Sequence, residues 1–375
     1  MKWASLIFSL CVLALTGFGL VMVYSVSPVD SSMKLMLRQV LGFGLGLVGA
    51  SVMACLSLER LRKLAWVAGG LALVMLVLVL IPHVGHEANG ARRWFKFGSF
   101  LFQPSDFAKL AAIFVVARYG AEYEHFIRTF RGGVLLPGLV GGFTLLLLFL
   151  EPDWGTSILM AVVATVMLLA AGARVRHYAI PVVVSLLVLG VMIKYNPVRG
   201  GRVHSWLHLE ETKDGKGYQA WQARLALGVG GVTGVGFTQG TQRRFVPEHR
   251  TDFIYAVVGE EFGYVGTVTV IAVFLMLFFS GLRIAAGAAD PFGRLVALGI
   301  TFLFALQAFI NIGVVSGALP NKGLPLPFIS YGGTNLMMML TCAGALLSVA
   351  RHGVGQEELE AHPPMFTHLP VTQLS

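Results

Sequence analysis

The sequence predicts an all-α polytopic membrane protein, with about ten transmembrane helices and one large extracytoplasmic loop between the seventh and the eighth. Three observations carry this. Hydrophobic residues fill 56% of the 375 positions and charged residues only 13%, and the mean hydropathy is +0.75, far from soluble-domain usage. The apolar residues gather into runs close to the roughly 20 residues a helix needs to cross a bilayer. These runs lack the alternation of barrel strands, and backbone groups in lipid must be satisfied within their own segment, so the runs are helices.

The runs lie near 5–24, 37–56, 64–81, 106–119, 133–150, 157–173, 178–195, 265–284, 294–316 and 331–350. The fourth is the weakest, being short and carrying Asp106 and Lys109. Lysine and arginine in the short connectors set the orientation. One side holds Lys2, Arg60, Arg62, Lys63, Arg118, Arg128, Arg131, Arg174, Arg176, Arg283, Arg294 and Arg351, and the other only Lys34, Arg38, Arg92, Arg93, Lys96 and Lys322. The richer side is therefore read as cytoplasmic, with both termini inside and the loop of about 195–264 outside. Deleting the fourth span would scramble this bias in every later connector.

The first run is too long for a signal-peptide core, lacks an A-x-A site and is followed by further spans, so it reads as a retained helix. Cys11, Cys55 and Cys342 fall within or at the edge of apolar runs and read as small hydrophobes, with no disulfide or metal framework implied. The net charge of +9 flanks the spans, which suits anionic lipid headgroups better than nucleic acid. Residues 1–351 read as one transmembrane domain. Residues 352–375, with three glutamates and two prolines in series, read as a flexible cytoplasmic tail.

Ionisable groups within a membrane are costly unless they do something, which directs attention to four stretches. In "NGARRWFKFGSFLFQPSDFAKL" (89–110) a basic, aromatic outer segment leads into a helix where Asp106 and Lys109 share a face, so an ion pair is available. A purely structural buried pair is the plain alternative. In "LEPDWGTS" (150–157) Glu151 and Asp153 precede a helix, where capping alone would account for Asp153. "GYQAWQARLALGVGGVTGVGFTQGTQRRFVPEHRTDFIYAVVGEEFGYVG" (217–266) is rich in glycine, yet no strand precedes it and no Gly-Lys-Ser/Thr follows. A loop pressed against membrane helices explains those glycines better than a phosphate cradle. After Pro247 this stretch reads as a helix at the outer interface, with Glu260 near the face of Asp252 and the true span starting near Val265. "GVVSGALPNKGLPLPFISYGGTNL" (313–336) carries three prolines at a membrane boundary, irregular backbone suited to a cavity wall. The pairs His204/His208 and His83/His86 have metal-ligand spacing but no third ligand nearby, and read as solvated loop histidines.

These stretches together resemble the SEDS family (shape, elongation, division and sporulation), polytopic enzymes that polymerise bacterial cell-wall glycan. The match runs from "GLVMVYSVS" and Arg38-Gln39 through "NGARRW", "QPSDFAKL", "PDWGTS" and "GYQAWQ" to "PEHRTDFIYAVVGEEFGYVG" and "LPLPFISYGGTN", in the family's order. "NGARRW", "GYQ" and "PNKGLPLPFISYGG" are more similar to the division branch, FtsW, than to the elongation branch, RodA. The resemblance implies a bacterial cytoplasmic membrane enzyme that joins lipid II units on the outer leaflet. The acceptor's 4-hydroxyl displaces undecaprenyl diphosphate from an α-linked donor to give a β-1,4 bond. An inverting step of this kind calls for one base and for positive charge near the leaving group, with no second carboxylate as nucleophile.

The family's essential acid corresponds to Asp252, in "TDFIY". Arg243, Arg244, Arg250, Arg92, Arg93 and Lys96 lie on the same side as candidates for diphosphate, Glu248 is a further substrate-binding candidate that could share the work of Asp252, and Arg38 and Trp94 match positions lining the lipid and sugar cavity. Asp106, Lys109, Asp153 and Lys322 are read as intramembrane polar or structural positions. The family more often has Glu at Asp106, one methylene longer, which leaves open whether Asp106 reaches Lys109. A divalent cation, Mg or Mn, could help neutralise the diphosphate, although no ligand set predicts one. The implied partners are lipid II, a single-span class B penicillin-binding transpeptidase, other cell-division proteins and membrane lipids. A lipid II flippase would also need many spans, but its polar groups belong near the midplane on matching repeats; a non-catalytic scaffold would tolerate loss of Asp252.

Overall fold

The computed structural model describes residues 1–27, 32–88, 91–98 and 100–361; Asn89 and Gly90 of the basic outer segment and 362–375 of the expected tail lie outside them. Thirteen α-helices run in chain order among these residues: α1 Lys2–Val26, α2 Ser32–Cys55, α3 Leu58–Leu80, α4 Pro104–Glu122, α5 Glu124–Ile127, α6 Leu136–Leu150, α7 Trp154–Ala170, α8 Ala179–Tyr195, α9 Pro197–Leu207, α10 Tyr218–Val229, α11 Ile254–Ala286, α12 Pro291–Ser316 and α13 Gly333–Ala361. Ten of them match the ten apolar runs.

Among the described residues eight helices are long and apolar enough to cross a membrane: α1, α2, α3, α6 with the π-helical turn before it, α8 with the 3-10 turn before it, α11, α12 and α13. Helix α7 is apolar but spans 17 residues, and α4 carries Asp106, Lys109, Arg118 and Glu122 within its 19.

The sequence pattern shows why these helices pack as they do. Helices α2 and α13 lie against each other along Gly42, Gly46 and Gly49, three positions on one face. An added Cβ at Gly42 would come 2.6 Å from the Gly333 carbonyl oxygen, and one at Gly46 2.7 Å from Leu340. Small residues let two backbones approach where lipid supplies no hydrophobic drive between helices. Helix α12 sits centrally, touching α11, α4, α7 and α13, and its Phe292, Leu303 and Phe304 are fully buried.

Three features depart from the expected outline. A small antiparallel sheet forms in the first outer segment, with β1 His86–Ala88, β2 Ala91–Phe97 and β3 Phe100–Phe102 in the order β1-β2-β3; the bulky residues of "RRWFKF" suit a half-buried pleat. Helix α13 continues ten residues past Arg351 to Ala361, so the expected tail begins as helix. Helix α11 starts at Ile254, after Asp252, and runs to Ala286 with a break at Gly263, whose φ of 65° and ψ of −159° are non-helical.

That break explains the glycine-rich stretch. Backbone groups freed near Gly263 meet the loop: Tyr264 N donates to Gly231 O at 2.9 Å, and Glu260 O accepts from Val235 N at 2.9 Å. At Gly234, with φ +83°, a Cβ would strike the Glu261 backbone, and only glycine fits such a close, left-handed position. The loop is thus pressed against a membrane helix as its composition suggested. Glu260 and Glu261 are fully buried inside the protein rather than at its interface with lipid. Glu260 accepts from Gln242 N at 2.7 Å, and Glu261 accepts from the Ser25 hydroxyl at 2.5 Å.

Candidate active site

Asp252 lies in a tight turn before α11. Glu248 has φ 53°, which interrupts any helix running from Pro247, and Phe253 N closes the turn on Glu248 O at 3.2 Å. Buried Phe253 and Ile254 anchor its far side. The expected helical face shared by Asp252 and Glu260 therefore does not exist, and the acids that act on Asp252 are Glu248 and Asp153.

The proline-rich segment 317–332 forms the opposing wall and is stitched to that turn. Asn311 Nδ2, on α12, donates to the Asp252 carbonyl at 2.8 Å and to Leu324 O at 2.6 Å. The Ser330 hydroxyl donates to Thr251 O at 2.6 Å, and Tyr331 N donates to Arg250 O at 2.9 Å. Gln39, fully buried on α2, grips the same segment by donating to Ser330 O at 3.3 Å and accepting from Gly332 N at 3.1 Å. Each of these satisfies a backbone group that irregular structure would otherwise leave unpaired. Gly323 lies directly under the carboxylate: a Cβ there would come 2.5 Å from Asp252 Oδ2.

The buried ion pair belongs to this scaffold. Lys109 Nζ lies 2.8 Å from Asp106 Oδ1, so the shorter aspartate does reach its partner. Lys109 also donates to Gln307 Oε1 at 3.4 Å, and Gln307 Nε2 donates to Pro325 O at 2.9 Å. A hydrogen-bonded relay thus runs from α4 through α12 to the wall that carries Gly323.

The third wall is the start of α7. Asp153 caps that helix, accepting from Thr156 N at 3.2 Å, and its charge also acts on Asp252 and Lys322. Arg93 donates to the carbonyls of Glu151 at 2.7 Å and Pro152 at 2.9 Å, fixing β2 over this corner. Arg199 stacks over the Trp154 ring, its guanidinium carbon 3.2 Å from the centroid.

Burial, then the charges of Glu248 and Asp153, push the Asp252 carboxyl up to about 7, against the opposing pull of Arg93 and Arg202. Burial lowers Lys322 to about 8, with Asp153 holding it up and Arg202 pressing it down. Glu151, fully buried and with neither carboxylate oxygen hydrogen-bonded, is pushed up to about 8 by burial first and Asp153 second, with Arg93 opposing. These groups form one electrostatically coupled cluster, with shifts that mark functional sites.

Not every candidate joins it. Asp252, Glu248, Asp153, Arg93 and Lys322 come together, and Lys322 belongs to this cluster in the α12–α13 loop rather than to the membrane interior. Arg92 pairs with Glu87 at 3.1 Å; Lys96 and Arg244 are exposed. Trp94 sits in β2 opposite His86. Arg38 is exposed on α2. Arg250 is half-buried, with its Nε lacking a partner. The Arg243 side chain lies outside the described ones. Arg202, Asn311 and Gly323 escaped the sequence reading. Arg199 and Arg202, three apart behind the helix-starting Asn196-Pro197, were the available signal for α9, since Asn196 caps its first turn.

No group of three His, Cys, Asp or Glu residues able to hold a metal exists among the described residues, and the cations acting on Asp252 are Arg93 and Arg202.

Comparison with known proteins agrees along nearly the whole chain. The family model described as a cell cycle protein, FtsW/RodA/SpoVE, matches residues 5–354. The "probable peptidoglycan glycosyltransferase FtsW" of Geobacter metallireducens is 40% identical over 352 residues, covering 92% of this chain and 94% of that protein. Stage V sporulation protein E of Bacillus subtilis is 38% identical over 348 residues, covering 91% and 95%. Among solved structures, a chain of a peptidoglycan synthase complex that coordinates polymerization and crosslinking superposes with a TM-score of 0.80 at 29% identity, covering 92% of this chain and 97% of that one. The rod shape determining protein RodA of Thermus thermophilus gives 0.70 at 29% identity, covering 92% and 95%.

Proposed function

Since the chain belongs to the FtsW/RodA/SpoVE family, we propose that it is a peptidoglycan glycosyltransferase that polymerises lipid II at the outer face of the bacterial cytoplasmic membrane, most fittingly in cell division. The observation that carries this reading is Asp252, a carboxylate of weakened acidity packed against Gly323, with the charges of Arg93 and Arg202 acting on it and Lys322 in the same cluster. Asp252 takes the proton of the acceptor's 4-hydroxyl as that oxygen attacks the donor's anomeric carbon. The glycosidic bond to undecaprenyl diphosphate breaks on the opposite face, and the cations offset the charge gathering on the leaving diphosphate. A base whose pKa lies near the working pH combines availability with driving force, which an unshifted aspartate does not.

The outward orientation is supported by the connector charges, which place both termini in the cytoplasm. The partner that fits is a class B penicillin-binding transpeptidase, in keeping with the synthase complex among the structural relatives. The test is polymer formation from fluorescent lipid II by the purified chain and by Asp252→Ala at matched folding. Polymer from the native chain alone supports the reading. Equal polymer from both overturns the role of Asp252, and no polymer from either, with that transpeptidase present, favours a flippase or a scaffold.

A further inference from the structure

Helix α9 has two unlike faces. Arg199 lies on Trp154, and Trp206 Nε1 donates to Gly317 O at 2.9 Å, so one face docks on the walls of the Asp252 site. Arg202, on that side, acts electrostatically on both Asp252 and Lys322. Gly200 and His204, four residues apart, belong to another face. There they floor an outward-opening cavity of about 650 Å³, completed by Gly201, Glu211, Asp214 and Lys216.

The chemistry of this cavity is amphoteric. Asp214 and Lys216 make no ion pair with any described residue, and Glu211 approaches only the His208 ring, at 3.7 Å. Gly201 keeps the floor low: a Cβ there would meet Lys216 Nζ at 2.8 Å. Glu211, Asp214 and Lys216 line its exposed rim, and one ammonium set apart from two carboxylates complements a ligand that carries both a carboxylate and an amine. A diamino acid residue within a peptide, with a free carboxylate and a free amine, is such a ligand.

We propose that this cavity is a subsite for the stem peptide of the lipid-linked substrate, with Lys216 on a peptide carboxylate and Glu211 and Asp214 on a side-chain amine. The inference rests on the polymerase reading above. Geometry allows it, because a helix with its side chains is roughly 10–12 Å across. A five-residue stem, extended at about 3.4 Å per residue, spans roughly 17 Å and reaches over α9 from a sugar held at Asp252.

The test compares two substrates on the full-length chain: lipid II carrying a pentapeptide with a diamino acid, and the same lipid-linked disaccharide ending in a bare lactyl carboxylate. For the pentapeptide substrate, Lys216→Met and the double variant E211Q/D214N should each raise KM roughly five- to tenfold with kcat unchanged, the pattern of lost uniform binding. KM for the peptide-free substrate should not move, and Lys216→Arg should restore most of the loss. Gly201→Ala, which displaces the Lys216 side chain, should show the same selectivity. KM unchanged for both substrates, or raised equally for both, overturns the subsite. Native-like polymerisation by Asp252→Asn would instead refute the base while leaving the KM comparison readable.

Discussion

Replacing Gly323 by alanine puts one methyl group where the packing against Asp252 leaves no room for it. The new Cβ would lie 2.5 Å from Asp252 Oδ2 and 3.4 Å from its Cγ. Ordinary contact begins near 3.4 Å, so the carboxylate or the 317–332 segment must retreat by about 1 Å. The two backbones are tied, Asn311 joining the Asp252 carbonyl to Leu324 O and Ser330 joining Thr251 to the same wall, so the carboxylate is the group that moves. A misplacement of about 1 Å in a reacting group costs on the order of 100-fold in rate, or about 2.7 kcal/mol of transition-state stabilisation. Gly323 has no positive φ, so alanine meets no backbone penalty and the fold should persist. The assay is kcat for lipid II polymerisation alongside a thermal melt. A fall of about two orders of magnitude at an unchanged Tm is expected; kcat within about threefold of the native value would refute the close packing of Gly323 on a reacting carboxylate.

Other consequences follow from the same contacts. Asn311→Ala removes the two hydrogen bonds that its amide makes to Asp252 O and Leu324 O and should lower kcat at least tenfold, with about 2 kcal/mol lost in a denaturation midpoint. Lys109→Met strands a buried carboxylate and should cost roughly 3–5 kcal/mol, whereas Asp106→Leu combined with Lys109→Met should recover much of it in the same melt. Glu151 holds its proton in the folded state up to about 8 but releases it near 4.5 when unfolded. Stability therefore falls as pH rises through that window, and Glu151→Gln should flatten the fall in Tm while sparing activity at neutral pH. The same sign applies to Asp252, raised from 3.8 to about 7. Asp252→Asn should be more stable than the native chain above pH 7, by at most about 4 kcal/mol.

The membrane helices were legible because the apolar period and length of a span are local properties, and ten of the thirteen helices fall on the ten runs. The glycines of 228–240 were legible as a pressed loop, though not the partner they press on, since the break at Gly263 depends on packing with that loop. Asp252 stood out as an acid in an apolar chain, but its surroundings did not. Helical spacing suggested Glu260 as its neighbour, whereas α11 begins only at Ile254, past Asp252, and Glu260 accepts from Gln242 N instead. Asp153 and Arg202 act on Asp252 from segments about 100 and 50 residues away, Lys322 joins the same cluster from about 70 residues away, and no local pattern encodes such a meeting. Arg92, Lys96 and Arg244 carry the right charge on the right side, yet strand pairing and exposure keep them from the cluster.

The central claim is that Asp252 accepts the proton of the attacking hydroxyl, and the pH dependence of kcat tests it most directly. With saturating lipid II, kcat should rise with a midpoint near 7 as Asp252 loses its proton, then decline near 8 as Lys322 loses its charge. The acidic limb should vanish in the residual activity of Asp252→Asn. A profile flat between about pH 5 and 8, or an acidic limb that persists in that variant, would contradict it.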